Sequence, residues 1–178
     1  LVKEAMKAIK AFGSFDSIAV RMRRNGDYPF IAEIGLPPEL RALEMSICAQ
    51  NQHGESASPV KPQCLCGQVL MNEFTTASSC FSANGSFWCS DCKKSQAKLS
   101  SMPKMHIRGE CLRHFNSLCL LPIRVDGQVQ GLVHIGDRRK DLFDAQSVSF
   151  LEKTVSIFGI CFERKSMRES IFGYTKDV

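Results

Sequence analysis

The chain has 178 residues, 44% of them hydrophobic, and 23 basic against 18 acidic side chains give it a net charge of +5. That is enough apolar material for the core of one domain. No run approaches the roughly 18 apolar residues of a membrane span, and charges interrupt the first twelve residues where a signal peptide is continuously apolar, so an unsecreted, cytoplasmic protein without membrane contact is expected. The basic residues cluster only at 21–24 and 138–140, with no interleaved aromatic residues to stack on bases, so no nucleic-acid partner is expected.

Residues 1–12 place Val2, Ala5, Met6, Ile9 and Phe12 at helical spacing with lysines between them, predicting an amphipathic opening helix. Two strands follow around Asn25-Gly26, a pair that accepts the positive backbone angles of a tight hairpin. In the first strand Arg21 and Arg23 alternate with Val20 and Met22, which predicts a solvated basic face. "LPPELRALEMSICAQ" then predicts a short helix opened by proline. Residues 51–116 form a long stretch without clear periodicity, expected to be an irregular, functional or mobile insert. Within it "CLCGQVLMN" fits a strand or a short helical start. Order returns in "SLCLLPIRVDGQVQGLVHIGD", two apolar strands joined at Asp126-Gly127. Asp144 is placed to cap a last long helix, in which Val148, Leu151, Val155, Phe158 and Phe162 follow a three-four spacing. The element order predicts an α+β domain with an antiparallel sheet over 1–163, and a helical linker over 164–178.

The stretch from "SLCLLPIRVDGQVQGLVHIGDRRK" to "SIFGICFER" resembles the C-terminal half of a GAF domain, and the opening helix and first hairpin extend the likeness to the front of the chain. "CLCG", "GSFW" at 85–88 and "RGEC" at 108–111 are similar to a cysteine-containing subgroup of GAF domains that sit beside PAS modules in prokaryotic sensor histidine kinases. The resemblance implies a GAF/PAS-like six-stranded antiparallel sheet, with terminal helices on one face and a ligand pocket on the other, closed by the insert. It also implies that Cys111 reaches the same pocket wall as Cys64 and Cys66. The Cys-His dipeptide of the bilin-attachment motif is absent, because Cys111 is followed by Leu112 and His114 lies three residues on. No cyclic-nucleotide motif is present.

Nine cysteines are many for such a domain, and an odd number cannot all pair within it. In a reducing compartment they favour metal binding, redox sensing or packing over a disulfide framework. Cys64 and Cys66 point to one side if their segment is extended, and Cys89 and Cys92 have the two-residue gap that suits chelation of one tetrahedral ion. A closed set of Cys64, Cys66, Cys89 and Cys92 predicts structural zinc. A core of Cys64, Cys66 and Cys111 predicts an iron-sulfur cluster or a metal with an open position. His106 and His114 are alternative fourth ligands. Haem is the alternative cofactor, with His134 as axial ligand, against which stands an ordinary hydrogen-bonded histidine in a strand. Trp88 either covers the pocket or simply packs. Cys48, Cys119 and Cys161 are expected in the core, Cys80 stays open, and His53 is expected in solvent.

No glycine-rich phosphate loop, nucleophile elbow or HExxH motif occurs, so no catalytic residue is expected. These features predict a non-enzymatic sensory domain of a two-component signalling protein. It would bind a metal centre or small ligand through its cysteines, and relay its state through the terminal helices to a covalently linked kinase or PAS output domain. Leu151, Val155, Phe158 and Phe162 predict a parallel homodimer if exposed, or packing on the same subunit's sheet if not. The alternatives are a thiol-based enzyme of the free methionine sulfoxide reductase type and a ligand-free dimerisation module.

Overall fold

The computed structural model describes residues 2–47, 64–72, 80–100 and 110–174. Five strands form one sheet: β1 (Ser17–Met22), β2 (Phe30–Ile34), β3 (Phe87–Cys89), β4 (Ser117–Val125) and β5 (Gln128–Asp137). They lie in the order β2-β1-β5-β4-β3, and every pairing is antiparallel. A sixth strand is not found among the described residues.

Both two-residue turns form as their chemistry dictates. Asn25 and Gly26 take φ of 50° and 81°, and Asp126 and Gly127 take 50° and 74°, the left-handed pair that matches the twist of the flanking strands.

The sheet alternates apolar residues to two faces, each with its own core. On one face Ile18, Val20, Leu121, Val133 and Ile135 pack against Met6 and Ile9 of α1 (Val2–Gly13) and Val148, Leu151, Val155 and Phe158 of α6 (Ala145–Tyr174). Both terminal helices therefore cover the same face. Asp144 starts α6 by accepting the Ser147 N–H at 2.7 Å. Because Leu151, Val155 and Phe158 are buried on the sheet of their own chain, they form no exposed dimer stripe. Phe162 packs half-buried at its edge. Among the described side chains of α6, the large exposed apolar ones are Phe150, Ile157 and Ile160.

The other face carries Ala19, Leu118, Leu120, Leu132 and a layer of short helices. These are α2 (Pro38–Leu43), α3 (Leu65–Leu70), α4 (Cys92–Ser100) and α5 (Glu110–His114). The stretch expected to be irregular thus holds three helices and β3. They escape sequence patterning because α3 and α5 span only six and five residues, too few for a helical period to register.

Arg21 departs from the expected solvated face. Its side chain is fully buried, 3.7 Å from the equally buried Glu44 carboxylate, and its guanidinium lies 3.5 Å over the Phe30 ring. It donates to the carbonyl oxygens of Tyr28, at 2.9 Å, and of Glu44. Burial of this charge is tolerated because an opposite charge, two carbonyls and an aromatic face surround it.

Candidate functional site

The helical layer brings together thiols that are far apart in sequence. Cys64 is the N-cap of α3, with extended backbone, and its Sγ accepts the Gly67 N–H at 3.3 Å. Cys66 lies in the first turn of that helix and Cys111 in α5. Cys89 ends β3 and Cys92 opens α4, their Sγ atoms 2.8 Å apart. These five and Cys80 belong to one buried cluster. Cys119 points to the opposite face and is packed there, as expected for a core cysteine. Cys161 is half-buried beside the α1–α6 groove instead of in the core. Cys48, His53 and His106 lie outside the described residues.

The thiols lie close enough to perturb one another's protonation. The Cys64 thiol is pushed well up by its hydrogen bond with Cys66 and by burial. Cys66 is raised chiefly by its hydrogen bond with Cys111, and desolvation adds to this. Cys92 is raised by its hydrogen bond with Cys89, then by burial, with Cys111 also close enough to contribute. The sequence 64–66–111 and the pair 89–92 therefore adjoin one another. Cys64, Cys66 and Cys92 are thereby held protonated, so a cation bound there would have to displace their protons.

Beside them stand three buried polar groups. Arg21, Glu44 and His134 are each at most 2% exposed. His134 packs its ring against Phe115 at 5.7 Å between centroids, and neither ring nitrogen has a hydrogen-bond partner. Burial, reinforced by Arg21, pushes its pKa down to about 4, so the imidazole is neutral. Arg21 is near enough to Cys66 to favour its thiolate.

The remaining predicted residues fall elsewhere. Trp88 packs with the α6-side core, because its neighbours Phe87 and Cys89 take the thiol side and strand residues alternate. It does not cover the thiols. His114 is half-buried at the end of α5. Sequence reasoning missed Arg21 and Glu44. The alternation of charged and apolar residues in β1 gave the face of Arg21, but nothing local showed that face to be covered.

Among the described residues, no three His, Cys, Asp or Glu side chains are placed to hold one metal ion. The donors gathered in the buried cluster are sulfur atoms, the donor type that soft cations prefer. Two clefts border α6 and not the thiols. One, of about 310 Å³, is lined by Ser86, Arg124, Glu152 and Lys153 among others. A second, of about 340 Å³, is apolar and lies between α1 and α6. No helix among the described residues is long and apolar enough to cross a membrane.

No family model and no curated protein matches this sequence. Solved structures do match. A GAF domain/HD domain protein from Geobacter sulfurreducens superimposes with a TM-score of 0.59 at 18% identity, over 93% of this chain and 92% of that one. The fold is that of a GAF domain. A domain assigned to a two-component sensor histidine kinase from Sinorhizobium meliloti 1021 shares this GAF fold with a TM-score of 0.61 at 10% identity, over 95% and 93% of the two chains. The type II free methionine-R-sulfoxide reductase from Thermoplasma acidophilum shares it with a TM-score of 0.55 at 14% identity, over 89% and 86%.

Proposed function

We propose that this chain is the sensory GAF domain of a signal-transduction protein, most simply a histidine kinase, and that its receptor is the buried thiol cluster. The observation that carries this reading is the grouping of Cys64, Cys66 and Cys111 in one buried cluster with the Cys89–Cys92 pair, whose sulfurs are in contact. A thiophilic metal, zinc or an iron-sulfur cluster, is the proposed ligand, and when bound it supplies a positive centre that holds thiolates inside the core. Cys64, Cys66, Cys89, Cys92 and Cys111 are the five candidate sulfurs, of which a zinc ion would take four.

The chain's own residues determine the response. Three short helices, α3, α4 and α5, each carry a cluster cysteine, so drawing the sulfurs together moves these helices over the sheet. Arg21 offsets negative charge at Cys66. A ligand shifts the domain's equilibrium only by its difference in affinity for the two arrangements, and ionised thiols distinguish them strongly. The output is proposed to leave through α6, which at 30 residues is about 45 Å long.

Elemental analysis of anaerobically purified domain tests this reading. Stoichiometric zinc or iron in the wild type, lost in Cys66→Ser and Cys111→Ser proteins of unchanged circular dichroism, supports it. A metal-free wild type that takes up neither zinc nor iron overturns the ligand assignment.

The resemblance to the methionine-R-sulfoxide reductase structure favours a second reading, a thiol enzyme, since adjoining cysteines are what reduction of a sulfoxide requires. Turnover of free methionine sulfoxide with a dithiol reductant would decide for it.

A further inference from the structure

We propose that Cys89 and Cys92 form a redox-active dithiol whose closure to a disulfide is read by the start of α6 through Ser90 and Asp91. The proposal rests on the thiol cluster being the receptor, but not on its metal.

The two residues between these cysteines are bonded to the segment that leads into α6. Ser90 Oγ donates to the Phe143 carbonyl at 2.5 Å and accepts the Phe143 N–H at 3.0 Å. The Asp141 N–H donates to the Ser90 carbonyl at 2.8 Å, and the Lys140 ammonium meets the Asp91 carboxylate at 2.7 Å. Phe143 itself is buried in the α6-side core, its ring 5.6 Å from that of Phe15. The "CSDC" loop is therefore the described point where the thiol side of the sheet is tied directly to the beginning of the long helix.

The sulfurs are already in contact at 2.8 Å, and a disulfide needs about 2.05 Å. Closing that gap draws the end of β3 toward the first turn of α4 and must twist Ser90 and Asp91, which span it. Four interactions with 140–143 then have to shift or break. Cys89, at the end of β3, is taken as the attacking sulfur and Cys92, at the start of α4, as the resolving one.

The oxidant class proposed is a peroxide, a small two-electron oxidant of thiols, because both sulfurs are buried. The Cys89 thiolate attacks hydrogen peroxide; an S–O bond forms, the O–O bond breaks, and the departing hydroxide takes up the thiol's proton as water. Cys92 sulfur then attacks the Cys89 sulfenic acid. The S–S bond forms, the S–O bond breaks, and the second water leaves with the Cys92 proton. Two sulfurs lose two electrons together and one peroxide becomes two waters.

The test uses the whole chain, reduced and then treated with hydrogen peroxide. Peptide mapping after alkylation should find Cys89 joined to Cys92. Hydrogen exchange at the Asp141 and Phe143 amides should accelerate severalfold on oxidation and recover with dithiothreitol. In Ser90→Ala the disulfide should still form, with exchange at Phe143 fast in both states. A wild type that forms no 89–92 disulfide, or forms it with unchanged exchange at 141–143, overturns the proposal. Zinc and iron content, measured on the same reduced sample, reports separately on the metal reading, so either can fail while the other stands.

Discussion

Arg21 and Glu44 form an ion pair 3.7 Å apart inside the core, with side chains 0% and 3% exposed. Removing one partner leaves a buried charge uncompensated, so Glu44→Ala should cost about 3–5 kcal/mol in chemical denaturation. Replacing both, as Arg21→Met with Glu44→Leu, should recover much of that loss. A single mutant within about 1 kcal/mol of wild type, the range of an exposed pair, would contradict the burial.

His134 makes stability fall in mild acid. Its pKa is held near 4 in the fold, against 6.5 for the ordinary group, so the unfolded chain binds the proton first. The stabilisation from keeping it neutral is fully present above pH 6.5 and is lost progressively as pH drops toward 4, by ~3 kcal/mol in all. Denaturation midpoints of wild type and His134→Gln, measured between pH 7 and 4.5, should diverge in slope, with the variant flatter. Parallel curves would show that this imidazole is not shielded.

Gly159 sets the distance of α6 from β4. A Cβ on this residue would lie 2.0 Å from the Arg124 carbonyl oxygen, so Gly159→Ala must push the helix off the strand despite alanine's better helix propensity. The variant should lose on the order of 1–3 kcal/mol, as overpacked sites do. A stabilised Gly159→Ala protein would refute the close approach.

Phe12 stacks on Phe150 at 4.6 Å, and with Ile157 and Ile160 both remain exposed on the outer side of the terminal helices. This surface, not the buried Leu151, Val155 and Phe158, is where a parallel homodimer is proposed to form. Light scattering should give a dimer for wild type and a monomer for Ile157→Lys with Ile160→Lys, at equal helicity. A monomeric wild type contradicts it.

The sheet and its hairpins are legible in the sequence because their signals are local. Asn25-Gly26 and Asp126-Gly127 state their backbone angles, and the run from Ser117 to Asp137 alternates over two long strands. Its short helices are not, since α3 and α5 are shorter than the period that would reveal them. Arg21 misleads because alternation tells which side of a strand a residue takes, not whether a distant segment carrying Glu44 will cover that side. Trp88 misleads in the opposite sense, since β3 has only three residues and no alternation to assign its faces. The nearness of Cys64 and Cys66 to Cys111 followed from resemblance alone, as no spacing rule spans the residues between them.

These thiols are proposed to act together as one soft-metal receptor. The most direct measurement is a cobalt(II) titration of the reduced, metal-free domain followed by visible absorption. A saturable thiolate-to-cobalt band with tetrahedral ligand-field bands is expected at one equivalent, weakened in Cys64→Ser and abolished in Cys66→Ser and Cys111→Ser. A wild-type spectrum no different from cobalt in buffer would contradict it.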